Sequence, residues 1–186
     1  SRSRTKTVYF VYSGEVMLYN LTKHGNRKVI FILGKGQLLN QSIVSKKPNA
    51  LFCEAVCPVK VIEIAEEQFL QLMEQSHALT RAVLREYERN LWRMGHQLKN
   101  TTGNMQMERK IAAKLWKLGR DFGVDTEDGV MIDIDLTITL MADLVGAPRE
   151  NVSRACKVLT DRGLIRYGNK RFILTDSDGL AEFYKM

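Results

Sequence analysis

The first part of the chain alternates short apolar runs with polar turns. Residues 8–21 are VYFVYSGEVMLYNL, residues 29–39 are VIFILGKGQLL, and residues 51–64 are LFCEAVCPVKVIEI. Runs of Val, Ile, Tyr and Phe of this length, separated by turns that contain Gly and Asn, are typical of antiparallel strands. We therefore expect an antiparallel β-roll, similar to a jelly roll, over residues 1–75.

The period of the pattern changes after residue 65. Residues 66–94 contain no Gly or Pro, and their apolar positions recur at helical spacing. Alternating intervals of three and four predict a two-helix seam, and hence a homodimer, built from Leu84, Tyr87, Leu91, Met94 and Leu98. The alternative is a single amphipathic helix that lies on its own domain. We assign residues 76–104 to a dimerisation helix and hinge, with a break at KNTTGN, 99–104.

The third part, residues 105–186, combines helices with short strands. A second amphipathic helix is predicted over residues 107–122, and VMIDIDLTI, 130–138, alternates like a half-buried strand. TLMADLVG, 139–146, predicts a short helix with Thr137 as its N-cap and Gly146 at its end. Pro148 then starts another helix, so the pair predicts a helix-turn-helix.

The second helix of this pair has an apolar stripe at residues 152, 155, 158 and 159. Its opposite face carries polar side chains suited to duplex DNA. An arginine fork matches the major-groove edge of guanine, a glutamate accepts from cytosine, and a serine can bond a base or a phosphate. We predict that four residues read bases: Arg149, Glu150, Ser153 and Arg154. Lys157 is assigned to the DNA backbone.

A predicted hairpin follows in GLIRYGNKRFILTD, 163–176, as strand, Gly-Asn turn and strand. Lys170 and Arg171 are placed at its tip, where they would contact phosphates. This layout is that of a wing beside a helix-turn-helix, and a solvated helix followed by an ordinary hairpin explains the clustered charge less well.

The charge distribution adds to this picture more than the net charge of +7 does. Residues 1–104 hold 15 Lys/Arg and 8 Asp/Glu, whereas residues 105–186 hold 13 of each. Within the second group, residues 121–143 carry seven acidic and no basic side chains, and residues 149–171 carry seven basic and two acidic ones. The local excess of five positive charges favours a nucleic-acid partner.

Composition narrows the class of protein further. The apolar fraction of 45% and the charged fraction of 26% are typical of globular proteins, and no apolar run approaches the length of a membrane span. The N-terminal SRSRTKTVYF lacks a signal-peptide pattern, and three cysteines are too few for a disulfide framework. We expect a cytoplasmic protein without a membrane partner.

The chain resembles the Crp-Fnr family of bacterial transcription regulators over about residues 8–178. The resemblance is strongest in LVGAPRENVSRACKVLTDRGLI, 144–165, where the turn glycine, Arg-Glu, Ser-Arg and Gly-Leu-Ile fall at the family's spacing. It implies an α+β protein with a β-roll sensor, a dimerisation helix and a winged helix-turn-helix. It also implies a homodimeric activator without enzyme activity, which binds a palindromic double-stranded site with a TGA-like half-site and contacts RNA polymerase.

Two departures from the family pattern concern ligand and DNA. Asn40-Gln41 and Asn49-Ala50 stand where cyclic-nucleotide members have a Gly-Glu and an Arg-Ser pair. Without that arginine a buried cyclic phosphate lacks its charge partner, so we do not expect cyclic AMP. A different small-molecule effector would lie near Gln41, Asn49 and Tyr87. The first helix of the pair lacks the family's polar run, which leaves Thr137 and Thr139 as candidate phosphate contacts.

Other effector chemistries stay open as alternatives within the family. Cys53 and Cys57 would share one face of a regular strand, which permits a redox role, but buried structural thiols are favoured. An iron–sulfur cluster needs four thiolates and the sequence supplies three, counting Cys156. Haem ligation would fall to one of three histidines: His24, His77 or His96. We predict no metal site.

Two further alternatives concern the whole chain. A small β-roll enzyme with an accessory helical domain would need a convergent catalytic constellation, which the predicted strands do not supply. The family also has strands before the equivalent of Tyr9. Either the N-terminal part of the sensor lies outside this sequence, or SRSRTKT comes from elsewhere in the domain.

Overall fold

The computed structural model describes residues 5–23, 25–45, 47–101 and 105–185, with the backbone alone for residues 98–101. The chain divides into two compact units, Ser1–Lys99 and Asn100–Met186. Each unit has its own buried core. The two units are therefore described separately.

The first unit begins with five strands. They are β1 Thr7–Ser13, β2 Val16–Leu21, β3 Arg27–Leu33, β4 Phe52–Ala55 and β5 Lys60–Ala65. β1 pairs with β5, and β3, β2 and β4 form a second sheet in that order. All three pairings are antiparallel. The β-rich, antiparallel N-terminal part that the apolar pattern predicts is confirmed.

Two apolar clusters fill this unit. The first lies between the strands and includes Val11, Leu18 and Leu33. The second joins the strands to the helices, since Val8 and Ile43 pack with Phe69 of α1, Glu66–Gln75. Burying each such side chain contributes roughly 1.5–3 kcal/mol. The helices are thereby held against the strands.

The helical run after residue 65 is divided in two. Ser76 is extended, with φ −127° and ψ 97°, between α1 and α2, His77–Thr101. Its hydroxyl accepts a hydrogen bond from the Leu79 amide at 3.3 Å and so satisfies a free N–H group at the start of α2. The helix continues into the segment where we expected a break, and residues 102–104 lie outside the described part.

One residue of the predicted dimer seam on α2 also packs within its own unit. Tyr87 is half-buried and packs against the second cluster beside Val83 of its own unit. Leu84, Leu91 and Met94 are exposed by 56%, 71% and 46%. The side chain of Leu98 lies outside the described residues. The exposed apolar stripe therefore consists of Leu84, Leu91 and Met94.

Within the described residues 105–185, the second unit forms four helices and a four-stranded sheet. Its elements are α3 Met107–Phe122, β6 Gly123–Thr126, β7 Gly129–Ile132, α4 Ile138–Val145, α5 Arg149–Asp161, β8 Ile165–Gly168, β9 Arg171–Leu174 and α6 Ser177–Lys185. The sheet order is β6-β7-β9-β8, with antiparallel pairing throughout. The predicted helix over residues 107–122 is confirmed, whereas β6 and α6 were not predicted.

The alternating segment after Gly129 is only partly a strand. β7 ends at Ile132, where its pairing with Gly123 of β6 ends, and its pairing with β9 covers Val130 and Met131 alone. The alternation itself continues beyond the sheet: Ile134 and Leu136 are buried, while Asp133 and Asp135 are exposed. The chain thus reaches α4 with its two carboxylates facing outward.

Gly129 is required by the geometry of this sheet. Its φ is +122°, and a Cβ atom there would lie 2.2 Å from the carbonyl oxygen of Leu174 on the paired strand. We expect Gly129→Ala to lower the free energy of unfolding by about 3 kcal/mol, because backbone strain adds to the overlap. Thermal and urea unfolding measure this.

Gly168→Ala is the matched control for this prediction. Gly168 lies in the same sheet, and a Cβ atom there would meet nothing within 4 Å. Its substitution should change the free energy of unfolding by less than about 1 kcal/mol. Equal effects of the two substitutions would contradict our account of this sheet.

Candidate nucleic-acid interface

The first helix of the pair, α4, is capped at both ends by the predicted residues. The Thr137 hydroxyl accepts a hydrogen bond from the Leu140 amide at 3.1 Å, which is N-cap geometry. At the other end Gly146 adopts φ +71° and ψ 47°, a left-handed conformation that favours glycine. The chain therefore turns sharply after Val145 and enters the next helix within three residues.

The second helix, α5, is oriented by its apolar side. Four residues on that side are buried: Val152, Ala155, Cys156 and Leu159. Our predicted stripe placed Val158 there instead of Cys156, but Val158 is 36% exposed. Pro148 lies at the N-cap, one residue before the helix, and not at its first position. These contacts leave the rest of the helix surface toward solvent.

The exposed side of α5 carries the five DNA contacts that were predicted on this helix. They are all exposed: Arg149, Glu150, Ser153, Arg154 and Lys157. No ion pair joins Glu150 to Arg154 within the described part of the chain. The Glu150 carboxylate is thus open to a ligand.

Asn151 is a residue of this surface that our sequence analysis missed. Its Oδ1 accepts a hydrogen bond from Nη2 of Arg154 at 2.6 Å, one turn along the helix. A second, longer hydrogen bond runs from Nε of Arg154 to the Glu150 carbonyl at 3.5 Å. The two contacts orient the guanidinium and leave its Nη1 without a partner among the described residues. The i, i+3 spacing of the two side chains was the available signal.

The wing has the predicted strands but a different turn. Asn169 and Lys170 both have positive φ, 51° and 59°, between β8 and β9. Two consecutive residues of this kind define a type I′ hairpin turn. The central pair is therefore Asn169-Lys170, and Gly168 is the last residue of β8. Lys170 is exposed at the tip.

The wing arginines, in contrast, are paired with acidic residues. Arg171 forms an ion pair with Asp133 and lies 3.6 Å from Asp135, and Arg166 lies 2.5 Å from Asp128. All three acids belong to the acidic stretch 121–143. Our prediction placed Arg171 at the tip as a phosphate contact, but it begins β9 and its charge is neutralised. Lys170 keeps the predicted position.

The two threonine candidates differ in their surroundings. Thr139 is exposed, and Thr137 is half-buried with its oxygen engaged as the helix cap. A hydroxyl that accepts through its oxygen can still donate its proton. Both side chains thus remain able to donate to a phosphate.

The loop between β3 and β4 bears on the expected effector. Asn49 accepts from the Gln41 amide, and Gln41 bonds the Leu39 carbonyl and the Leu51 amide at 3.0 Å. Asn40 is buried and bonds the backbone of β1. The structure brings Gln41 and Asn49 together, and no hydrogen bond from either to Tyr87 is found in the described residues.

This donor set does not fit a cyclic phosphate. Residues 39–51 contain two lysines. Lys47 is exposed, and Lys46 lies outside the described part of the chain. The neutral amides already bond the loop's own backbone. A buried phosphate would lack the charged partner that its desolvation demands.

The cysteines are separated. Cys53 is exposed on β4, whereas Cys57 lies beyond the end of that strand, so the two do not share one face as we expected. The Cys57 thiol donates to the Glu15 carboxylate at 3.0 Å. Burial raises the pKa of the Cys156 thiol from 9.0 to about 11. Cys156 therefore acts in packing.

The remaining candidates for a metal or haem are dispersed. His77 and His96 are exposed on α2, with His96 against the Trp92 ring, and His24 lies outside the described residues. Across the described part of the chain, no three His, Cys, Asp or Glu side chains are grouped so that they could hold a metal ion. In the same residues, no helix is long and apolar enough to cross a membrane.

Comparison with known protein families assigns both halves of the chain. Residues 109–183 match the Crp-like helix-turn-helix domain, and residues 2–76 match the cyclic nucleotide-binding domain. Together these two domains define a DNA-binding transcription regulator whose N-terminal domain is similar to a cyclic nucleotide-binding domain. The chain belongs to the Crp-Fnr family.

Individual relatives are distant but cover most of the chain. A CRP-like cAMP-activated global transcriptional regulator of Mycobacterium tuberculosis is 25% identical over 175 residues, 94% of this chain and 78% of that protein. A global nitrogen regulator of Nostoc is 25% identical over 167 residues, 88% and 74% of the two chains. The structure of FixK2 from Bradyrhizobium japonicum has a TM-score of 0.83 at 19% identity, covering 98% and 89%. The last comparison supports the fold.

The Cys156 environment predicts a measurable loss of reactivity. Because its pKa is raised to about 11, the thiolate fraction at neutral pH falls about 100-fold relative to an unperturbed thiol. We expect iodoacetamide to alkylate Cys156 at least that much more slowly in the folded protein than in urea. Site-resolved mass spectrometry at about pH 7.5 measures both rates, and equal rates would show that the thiol is not buried.

Proposed function

We propose that this protein is a homodimeric, sequence-specific regulator that reads a near-palindromic double-stranded DNA site through α5. The observation that carries the proposal is the orientation of this helix. Its buried stripe of Val152, Ala155 and Leu159 leaves the whole polar side exposed beside the wing. A short helix held in this way fits the major groove.

The chemistry of that side supports a defined half-site. Arg149 and Arg154 offer forks to guanine, Glu150 accepts from a cytosine amino group, and Ser153 bonds either a base or a phosphate. Together with the family resemblance, this set favours a TGA-like core. Lys157 and Lys170, with the hydroxyls of Thr137 and Thr139, are proposed to contact phosphates.

The exposed stripe on α2 supports the dimer. Leu84, Leu91 and Met94 are large apolar side chains at heptad-like spacing, and water covers them in the single chain. Pairing two such helices would bury them. A two-fold axis would then present two copies of α5 to successive major grooves, about one helical turn apart.

Control is proposed to come from a small molecule other than cyclic AMP. The support is the pair of neutral amide side chains, Gln41 and Asn49, which bond the backbone of their own loop, together with Tyr87 packed against the sensor core. Such a ligand would shift the population toward the DNA-binding arrangement. We place the protein in the bacterial cytoplasm as an activator that contacts RNA polymerase.

Base reading by Arg154 is the most direct test. Arg154→Ala should lower the ratio of affinities for a selected operator and a scrambled duplex by about 10- to 100-fold, because a guanine contact is lost in each half-site. The operator comes from selection among random duplexes with the wild-type chain, and fluorescence anisotropy measures both affinities.

Lys157→Ala serves as the matched control on the same helix. It should weaken binding to both duplexes alike, since a phosphate contact carries no sequence information. Selection that enriches no sequence, or an unchanged ratio in Arg154→Ala, would contradict the proposed function.

The dimer seam can be tested separately. Leu91→Glu places a charge in the proposed interface but in water in the single chain, so it should give a monomer of unchanged helicity and weaker operator binding. Light scattering coupled to size exclusion and circular dichroism measure the two properties. Leu72→Glu, at an exposed leucine on α1, should remain dimeric. A dimer in Leu91→Glu would refute this seam.

A further inference from the structure

The acidic and basic stretches of the second unit meet at the wing. Arg171 forms ion pairs with Asp133 and Asp135, the latter at 3.6 Å. The arginine side chain is 34% exposed, and the two carboxylates are about half exposed. Two negative charges thus surround one positive charge on a surface next to the proposed DNA contacts.

The backbone fixes this arrangement. Ile134 and Leu136 are buried, so the alternating chain directs both aspartates outward. The Leu136 amide donates to the Lys170 carbonyl at 2.7 Å, which ties the segment to the wing turn. The type I′ turn then places Arg171 immediately after this bond. The backbone, in addition to the ion pairs, therefore keeps Asp133, Asp135 and Arg171 close together.

The electrostatic consequence bears on DNA. A phosphate that approached Arg171 would have to displace two carboxylates and would be repelled by both. Lys170, one residue earlier, has no ion pair within the described residues. The sequence shows two adjacent basic residues at the wing tip, Lys170 and Arg171. Of these two, Lys170 is the one that is available to a phosphate.

We propose that Asp133 and Asp135 set the overall affinity for DNA, because they occupy Arg171 and so lower the affinity for DNA of any sequence. Base reading by α5 is left untouched, so the ratio of specific to non-specific binding stays the same. This inference rests on the proposed function. The rival account is that the ion pairs only hold the wing in place.

The test neutralises both acids without changing their shape. Asp133→Asn/Asp135→Asn should bind a scrambled duplex about three- to tenfold more tightly at low salt, because Arg171 becomes free to contact a phosphate. The slope of log affinity against log salt should steepen by about 0.9 for each additional phosphate that the protein neutralises. The operator-to-scrambled ratio should stay the same, because a phosphate contact carries no sequence information. Anisotropy titrations over a series of salt concentrations measure all three quantities.

A matched variant controls for net charge. Asp125→Asn/Glu127→Gln removes the same two charges from the β6–β7 hairpin, where neither residue has an ion pair in the described part of the chain. We expect it to raise non-specific affinity less and to leave the salt slope unchanged. Equal effects of the two double variants would overturn the proposal, since general charge would then explain the tighter binding.

Arg171→Gln separates the two accounts. In the wild-type background it should leave the salt slope unchanged, and in the Asp133→Asn/Asp135→Asn background it should abolish the increase in affinity. If Arg171→Gln makes the salt slope less steep by about 0.9 in the wild-type background, Arg171 contacts a phosphate directly and the inference is refuted. Weaker binding of both duplexes by Asp133→Asn/Asp135→Asn, with a lower unfolding midpoint, would favour the holding role and refute it equally.

Failure of the inference is distinguishable from failure of the proposed function. Loss of operator preference in the wild type would count against the proposed function alone, because the effect of the aspartates is measured on the scrambled duplex. A specific wild type with an unchanged slope in Asp133→Asn/Asp135→Asn would count against the inference alone.

Discussion

The packing of one side of α5 is the contact on which the rest of the second unit depends. Val152, Ala155 and Leu159 are almost fully buried, and removing a side chain such as Leu159 would cost about 2–5 kcal/mol. A helix anchored at these positions cannot rotate about its axis, so its polar side has a fixed direction. The capped α4 and the left-handed Gly146 set the approach of the chain to this helix. Recognition chemistry is thus a consequence of core packing.

Much of this arrangement could be predicted because it is local. The helix-turn-helix depends on a cap, a glycine and an apolar period within about 25 residues, and each has a physical meaning that one sequence reveals. The exposed positions of Arg149, Glu150, Ser153 and Arg154 follow from the same period. On the buried side Cys156 takes the place that was predicted for Val158. With about 3.6 residues per turn these two residues flank the apolar stripe, and the period alone does not decide which of them is buried.

The errors arose where contacts join distant parts of the chain. Tyr87 fits the heptad spacing of a dimer seam, and its packing in the sensor core was not predicted: Val83 and Tyr87 lie on the side of α2 that meets Ile43 and Phe69. Cys53 and Cys57 would share a face on a continuous strand, but β4 ends at Ala55. Spacing alone cannot tell which partner an apolar side meets, or where a strand loses its neighbour.

The wing shows why charge counts along the sequence mislead about the surface. Seven basic residues in 149–171 favoured a nucleic-acid partner, and the acidic stretch 121–143 was counted separately from them. In the fold the acidic residues reach Arg166 and Arg171, while Arg154 of α5 bonds the neutral Asn151. Positive charge is thereby reduced where only phosphates could be met and retained where bases could be read. Weaker phosphate contacts lower the affinity for every duplex alike, so the preference of the regulator for one site depends on the bases that α5 meets.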